Sequence, residues 1–140
     1  MEFFMISKNK ALEFVSKHLK NKNLIKHCLA SEAVMRALAK HFGENEEEWG
    51  LAGLLHDADV EIMEGETITG LIVASTLVLK DKKISSLTKE SVIKRFHEKR
   101  FAAGANRNLI MHCEKIGLSL DQFSEICLTA MQNIANDLEL

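Results

Sequence analysis

An imidazole and a carboxylate stand side by side at His56-Asp57, where the apolar run Leu51, Ala52, Leu54, Leu55 ends, and Asp59 follows two positions later. Polar groups at the buried end of a hydrophobic helix cost desolvation free energy unless something pairs with them. A divalent cation is one such partner. A second imidazole, His27, falls on the inward stripe of an upstream helix, among Leu24, Cys28, Ser31, Val34, Met35, Leu38 and Phe42. Taken alone, His27 also fits a core histidine bonded to a backbone carbonyl. Adjacent helix residues face different ways, so Asp57 shares an ion with His56 only where the helix unwinds, which the polar piece Val60–Thr67 permits. Mixed imidazole and carboxylate donors suit a divalent cation such as Mn, Fe, Co, Ni or Zn, with Mg also admissible; a cysteine-rich structural zinc does not fit. Such an ion, with one position open, lowers the pKa of bound water and readies it for attack at phosphorus.

The elements that must hold these groups read as helices throughout. Ser7 caps a first helix, Lys8–Lys20, with Leu12, Val15 and Leu19 on one face. Asn23 caps a second, about Leu24–Phe42, which Gly43 closes in the left-handed conformation. Asn45 caps a third, whose first-turn Glu46, Glu47 and Glu48 complement the helix dipole and require no binding site to explain them. Trp49, Ala52 and His56 follow on one face of it. A fourth helix starts near Thr69 and is apolar on nearly all sides, so it is expected to be central. Thr88 caps a fifth to about Arg100, with Val92, Ile93 and Phe96 inward; Phe101–Gly104 interrupts, and another helix runs to Ile116 before Gly117. Ser119 and Gln122 form a capping box for a last helix that carries Phe123, Ile126, Cys127, Ala130, Met131, Ile134 and Leu138 at three-four spacing. The expectation is an all-α, compact bundle of six or seven helices in a single domain, residues 1–140.

Composition agrees with a helical protein, having no proline, no tyrosine and only seven glycines. The three cysteines have no metal-like spacing and no even count for a disulfide framework, which points to a reducing, cytoplasmic setting. Met1–Ile6 is too short, and lacks the basic start, of a signal peptide. No apolar run approaches the roughly 20 residues that span a bilayer. Charge is uneven: Lys80–Arg107 holds nine basic and three acidic residues, +6, while the remainder carries −8. That flank is either a solvated helix face or a positive surface that draws in a phosphorylated ligand. Nucleic acid is a poor fit, since only Phe96 and Phe101 are interleaved with these charges and the chain is acidic overall.

With those residues in place, the chain resembles the HD superfamily of metal-dependent phosphohydrolases, in particular a small bacterial branch of HD-domain hydrolases. The likeness rests on IKHCLASEAVMRALAKHFGENEEEWGLAGLLHDADVE at 25–61, TGLIVASTLVL at 69–79, SVIKRFHEKRFAAGANRNLI at 91–110 and the closing EKIGLSLDQFSEICLTAMQNIANDLEL. It implies that His27, His56 and Asp57 are metal ligands, with His56 and Asp57 at the catalytic centre. The family carries an Asp shortly before its TGLI-like segment; here Glu66 stands three before Thr69, and the intervening stretch is much shorter. Glu is an equivalent oxygen donor. Asp59 is then either an acceptor that orients His56 or a loop carboxylate. Lys94, Arg95, Arg100 and Arg107 are the candidates for holding substrate phosphate, and His18, His41, His97 and His112 are not expected to be ligands. The implied activity is hydrolysis of a small phosphate ester, a nucleotide among the candidates, by a cation-activated water. The alternative is a non-catalytic HD-like module for binding or homo-oligomerisation, left when the shortened segment no longer encloses a substrate.

Overall fold

A computed structural model describes residues 6–56 and 68–140. The chain divides into two compact units, Met1–Glu61 and Ile62–Leu140. Among the described residues the protein is all helical, with eight α-helices, two of them single turns, and two 3-10 segments.

The first unit is built from α1 (Lys8–His18), α2 (Lys22–Phe42) and α3 (Glu46–Leu55). Ser7 caps α1 by accepting from the Lys10 amide, and Leu19 leaves the helix in an extended conformation while staying buried. The helix therefore stops at His18 rather than Lys20. α2 starts two residues earlier than the pattern suggests, because Asn21 rather than Asn23 accepts the orphan amide, here that of Asn23 at 2.9 Å. Gly43, at φ 72°, closes α2, with the Glu44 amide donating to Ala39 and that of Gly43 to Lys40. Asn45 then caps α3 by accepting from Glu47 and Glu48. A connection this short makes α2 and α3 an antiparallel pair. Ala11, Val15 and Leu19 of the α1 region pack with Cys28, Leu51 and Leu54 to form the core.

Among the described residues of this unit one charged side chain is buried. Glu32 is 3% exposed and takes Lys8 Nζ at 3.2 Å and Arg36 Nε at 2.9 Å. Arg36 also donates to the Glu46 carbonyl at the start of α3. One carboxylate thus ties the first turn of α1 to α2 and, through Arg36, to α3.

The second unit holds α4 (Ile68–Leu77), α5 (Lys89–His97), α6 (Arg107–Ile110), α7 (Leu120–Gln132) and α8 (Ala135–Leu138). α4 buries Ile68, Thr69, Leu71, Ile72, Ser75 and Thr76 and packs on α5 and α7, as its apolar sequence requires. The buried hydroxyls of Ser75 and Thr76 donate to the carbonyls of Leu71 and Ile72, one turn back. α5 ends at His97, three residues short of the expected Arg100. Beyond it, the expected helix to Ile116 divides into α6 and the 3-10 segment Met111–Ile116, which Gly117 (φ 79°) terminates. The capping box of Ser119 and Gln122 is present on α7. At the other end of α7, the Gln132 amide donates to the carbonyls of Ile84 and Leu87.

Candidate metal centre

α2 and α3 meet along a seam whose contacts pair off in opposite chain directions. Arg36 lies over Gly50, and the Ser31 carbonyl lies against Gly53. One turn further, the rings of His27 and His56 stand with centroids 5.3 Å apart and planes inclined at 60°. His27 is half-buried on α2, while His56 is the exposed C-cap of α3. The expected face of Trp49, Ala52 and His56 is therefore the more open side of α3: Trp49 is half-buried beside Phe42, and Ala52 is exposed.

His56 Nδ1 lies 2.6 Å from the Gly53 carbonyl oxygen. A carbonyl only accepts, so Nδ1 carries the proton. The neutral ring then has its lone pair on Nε2, the nitrogen through which such a histidine coordinates a metal. A backbone acceptor of this kind is the usual orienting partner of a metal-binding histidine. Two imidazoles that each reach a shared ion at about 2.1 Å, at a tetrahedral angle, have centroids about 5 Å apart. The spacing and the tautomer both fit a shared cation.

The set is not completed within the described region. Among the described residues, no group of three or more His, Cys, Asp and Glu side chains converges on one point. Asp57, Glu66 and Asp59 lie outside the described residues. His18 and His41 are exposed; His18 donates to the Phe14 carbonyl and stacks on its ring, and His41 packs edge-on to Phe42.

In the second unit the four basic candidates separate. Lys94 and Arg100 are exposed. Arg95 is paired with Glu98 at 2.8 Å and sits 4.5 Å from the centre of the Phe101 ring. Arg107, the fourth candidate, is engaged by backbone groups of its own unit. Its guanidinium donates to the carbonyls of Arg95, Phe96, Glu98, Phe101, Ala102 and Ala105. A guanidinium has five N–H groups, all of them committed to this set of acceptors. Arg107 is a staple for the end of α5 and the turn after it.

Sequence reading missed three further features. Glu32 was not singled out, because charge patterns assign carboxylates to solvent. The Gly50 and Gly53 pair, one turn apart, is a signal for close helix approach that the motif reading passed over. Cys113 and Cys127 are buried on neighbouring elements, and burial raises both thiol pKa values, most strongly for Cys127. No helix among the described residues is long and apolar enough to cross a membrane. No family model, curated protein or solved structure matches the chain.

Proposed function

We propose that this protein is a metal-dependent phosphohydrolase of the HD type, acting on a small phosphate ester in the cytoplasm. The observation that carries the reading is the His27–His56 pair, with rings 5.3 Å apart and the His56 tautomer fixed by the Gly53 carbonyl. In this reading His27, His56 and Asp57 hold a divalent cation, and the Gly53 carbonyl orients His56. The cation supplies an acidified water and polarises the phosphoryl group. The three cysteines are buried and joined by no disulfide, which supports a reducing compartment.

Metal analysis of the full chain and of His27→Ala and His56→Ala, alongside hydrolysis of a generic phosphomonoester and phosphodiester with added Mn²⁺, tests the proposal. Bound metal in the wild type that is lost in both variants, with turnover that disappears in parallel, is the expected result. Equal metal content in all three proteins overturns it.

The second reading, a non-catalytic module, is favoured by Leu77 and Val78, which are 49% and 54% exposed at the end of α4. Aliphatic side chains left open side by side suit a protein contact. A dimer by light scattering, without metal and without turnover, would select it.

A further inference from the structure

We infer that Gly53 is a positioning residue: its missing side chain sets the α2–α3 separation that brings His27 and His56 to one point. The inference rests on the metal-centre reading for its consequence, though the spacing itself is a matter of packing. A Cβ at Gly53 would lie 2.7 Å from the Ser31 carbonyl oxygen, 2.9 Å from Met35 Cγ and 3.0 Å from the Ser31 carbonyl carbon. Two of those three atoms are α2 backbone, which cannot rotate aside. An ordinary carbon–oxygen contact is longer than this by roughly half an ångström or more, so the helices must separate by about that amount.

The displacement lands on the histidines. His27 lies one turn before Ser31 on the same face of α2, and His56 one turn after Gly53 on α3. In an antiparallel pair these two turns face each other, so any widening at Ser31–Gly53 passes directly to the rings. Metal sites tolerate errors of about 0.2 Å in ligand distance. Gly53 also supplies the carbonyl that holds the His56 ring, so one residue fixes both the spacing and the tautomer.

Gly50 differs. The three atoms nearest a Cβ there all belong to the Arg36 side chain, with Nε closest at 2.6 Å. A side chain can swing away, at the cost of its pairing with Glu32, and the backbones need not part.

The test compares the full-length wild type with Gly53→Ala, Gly53→Ala/Met35→Ala and Gly50→Ala. Two readouts are taken: the nuclear Overhauser contact between the His27 and His56 ring protons without metal, and Mn²⁺ affinity by titration. Gly53→Ala is expected to weaken the ring contact about twofold and to bind Mn²⁺ at least tenfold more weakly, at unchanged helical circular dichroism. Removing the Met35 side chain should not restore either, because the Ser31 backbone is the obstacle. Gly50→Ala should keep both. An undiminished ring contact in Gly53→Ala, or its full recovery on adding Met35→Ala, overturns the inference. If Gly53→Ala does not fold, the wild type decides: absence of the His27–His56 contact, or of a contact from the Gly53 α-protons to Ser31, overturns it. A wild type that shows these contacts but binds no Mn²⁺ defeats the metal reading and leaves the spacing role standing on the variants.

Discussion

The Glu32 carboxylate lies 2.9 Å from Arg36 Nε, one turn along α2, in a pair whose acid is almost wholly buried and whose base is not. The side chains of Glu32, Arg36 and Lys8 are 4%, 29% and 49% exposed. The three substitutions should therefore cost very different amounts. Arg36→Met leaves a buried carboxylate with one solvent-screened partner and should cost roughly 3 kcal/mol. Lys8→Met removes an exposed cation and should cost under about 1 kcal/mol. Glu32→Gln falls between them, since both cations left behind can reach water. Urea unfolding of the three variants measures the order, and equal losses for Arg36→Met and Lys8→Met would refute it.

His27 and His56 are expected to act as one unit toward metal. Once either imidazole is gone the remaining donors hold the ion poorly, so His27→Ala, His56→Ala and the double variant should lose nearly the same affinity. The coupling between two residues that share a partner is of the kind a double-mutant cycle detects. Titration with Mn²⁺ or Zn²⁺ gives the three values. Additive losses would mean that the two rings serve separate ends.

Arg107 separates a structural from a substrate role. Lysine presents three donors on a point charge and cannot cover the carbonyls that the guanidinium spans. Arg107→Lys should destabilise the second unit by roughly 2–3 kcal/mol. Inorganic phosphate, titrated as a competitor of hydrolysis, should bind the variant and the wild type alike. A variant of unchanged stability with weakened phosphate binding would return Arg107 to the substrate surface.

Cys127 predicts an alkaline limit. Burial raises its thiol far above the ordinary value of 9.0, and Cys113 adds to the effect. The folded state therefore keeps a proton that the unfolded state releases. This contribution to stability is whole below the unfolded pKa and declines as pH rises above 9, by about 1.4 kcal/mol per pH unit for each such thiol. Cys127→Ala should flatten the fall in unfolding free energy between pH 9 and 10. Lys89, raised above 10.5 mainly by its hydrogen bond to Asp121, keeps its contribution to stability across that window and loses it only at higher pH. An unchanged slope in the variant would show that the buried thiol is not the cause.

Features that depend on neighbours in sequence were legible. Ser7, Asn45, Thr88 and Ser119 cap helices because their oxygens reach amides two or three residues on, and Gly43 and Gly117 adopt the positive φ that closes a helix. Asn21 and Asn23 compete for one cap with the same chemistry, so pattern could not choose between them. The end of α5 was misplaced because its last carbonyls go to Arg107, eleven residues beyond Phe96. The long final helix breaks near Asn133 although its apolar spacing continues into α8. Glu32 shows the same limit, since its burial depends on Lys8, far along the chain. Of the candidate site, the two histidines were legible as an inward ring and a helix terminus, whereas the seam that joins them rests on glycines, which leave no side-chain pattern to read. Asp57, Asp59 and Glu66 lie outside the described residues.

The Gln132 amide reaches back 48 residues to the Ile84 carbonyl. During synthesis, the turn between α4 and α5 gains that anchor only after all of α7 has left the ribosome, whereas the described core of α1 to α3 is drawn from Ala11 to Leu54. The contacts of the amino-terminal helices are thus made available early in synthesis, and this anchor of the carboxy-terminal unit comes late.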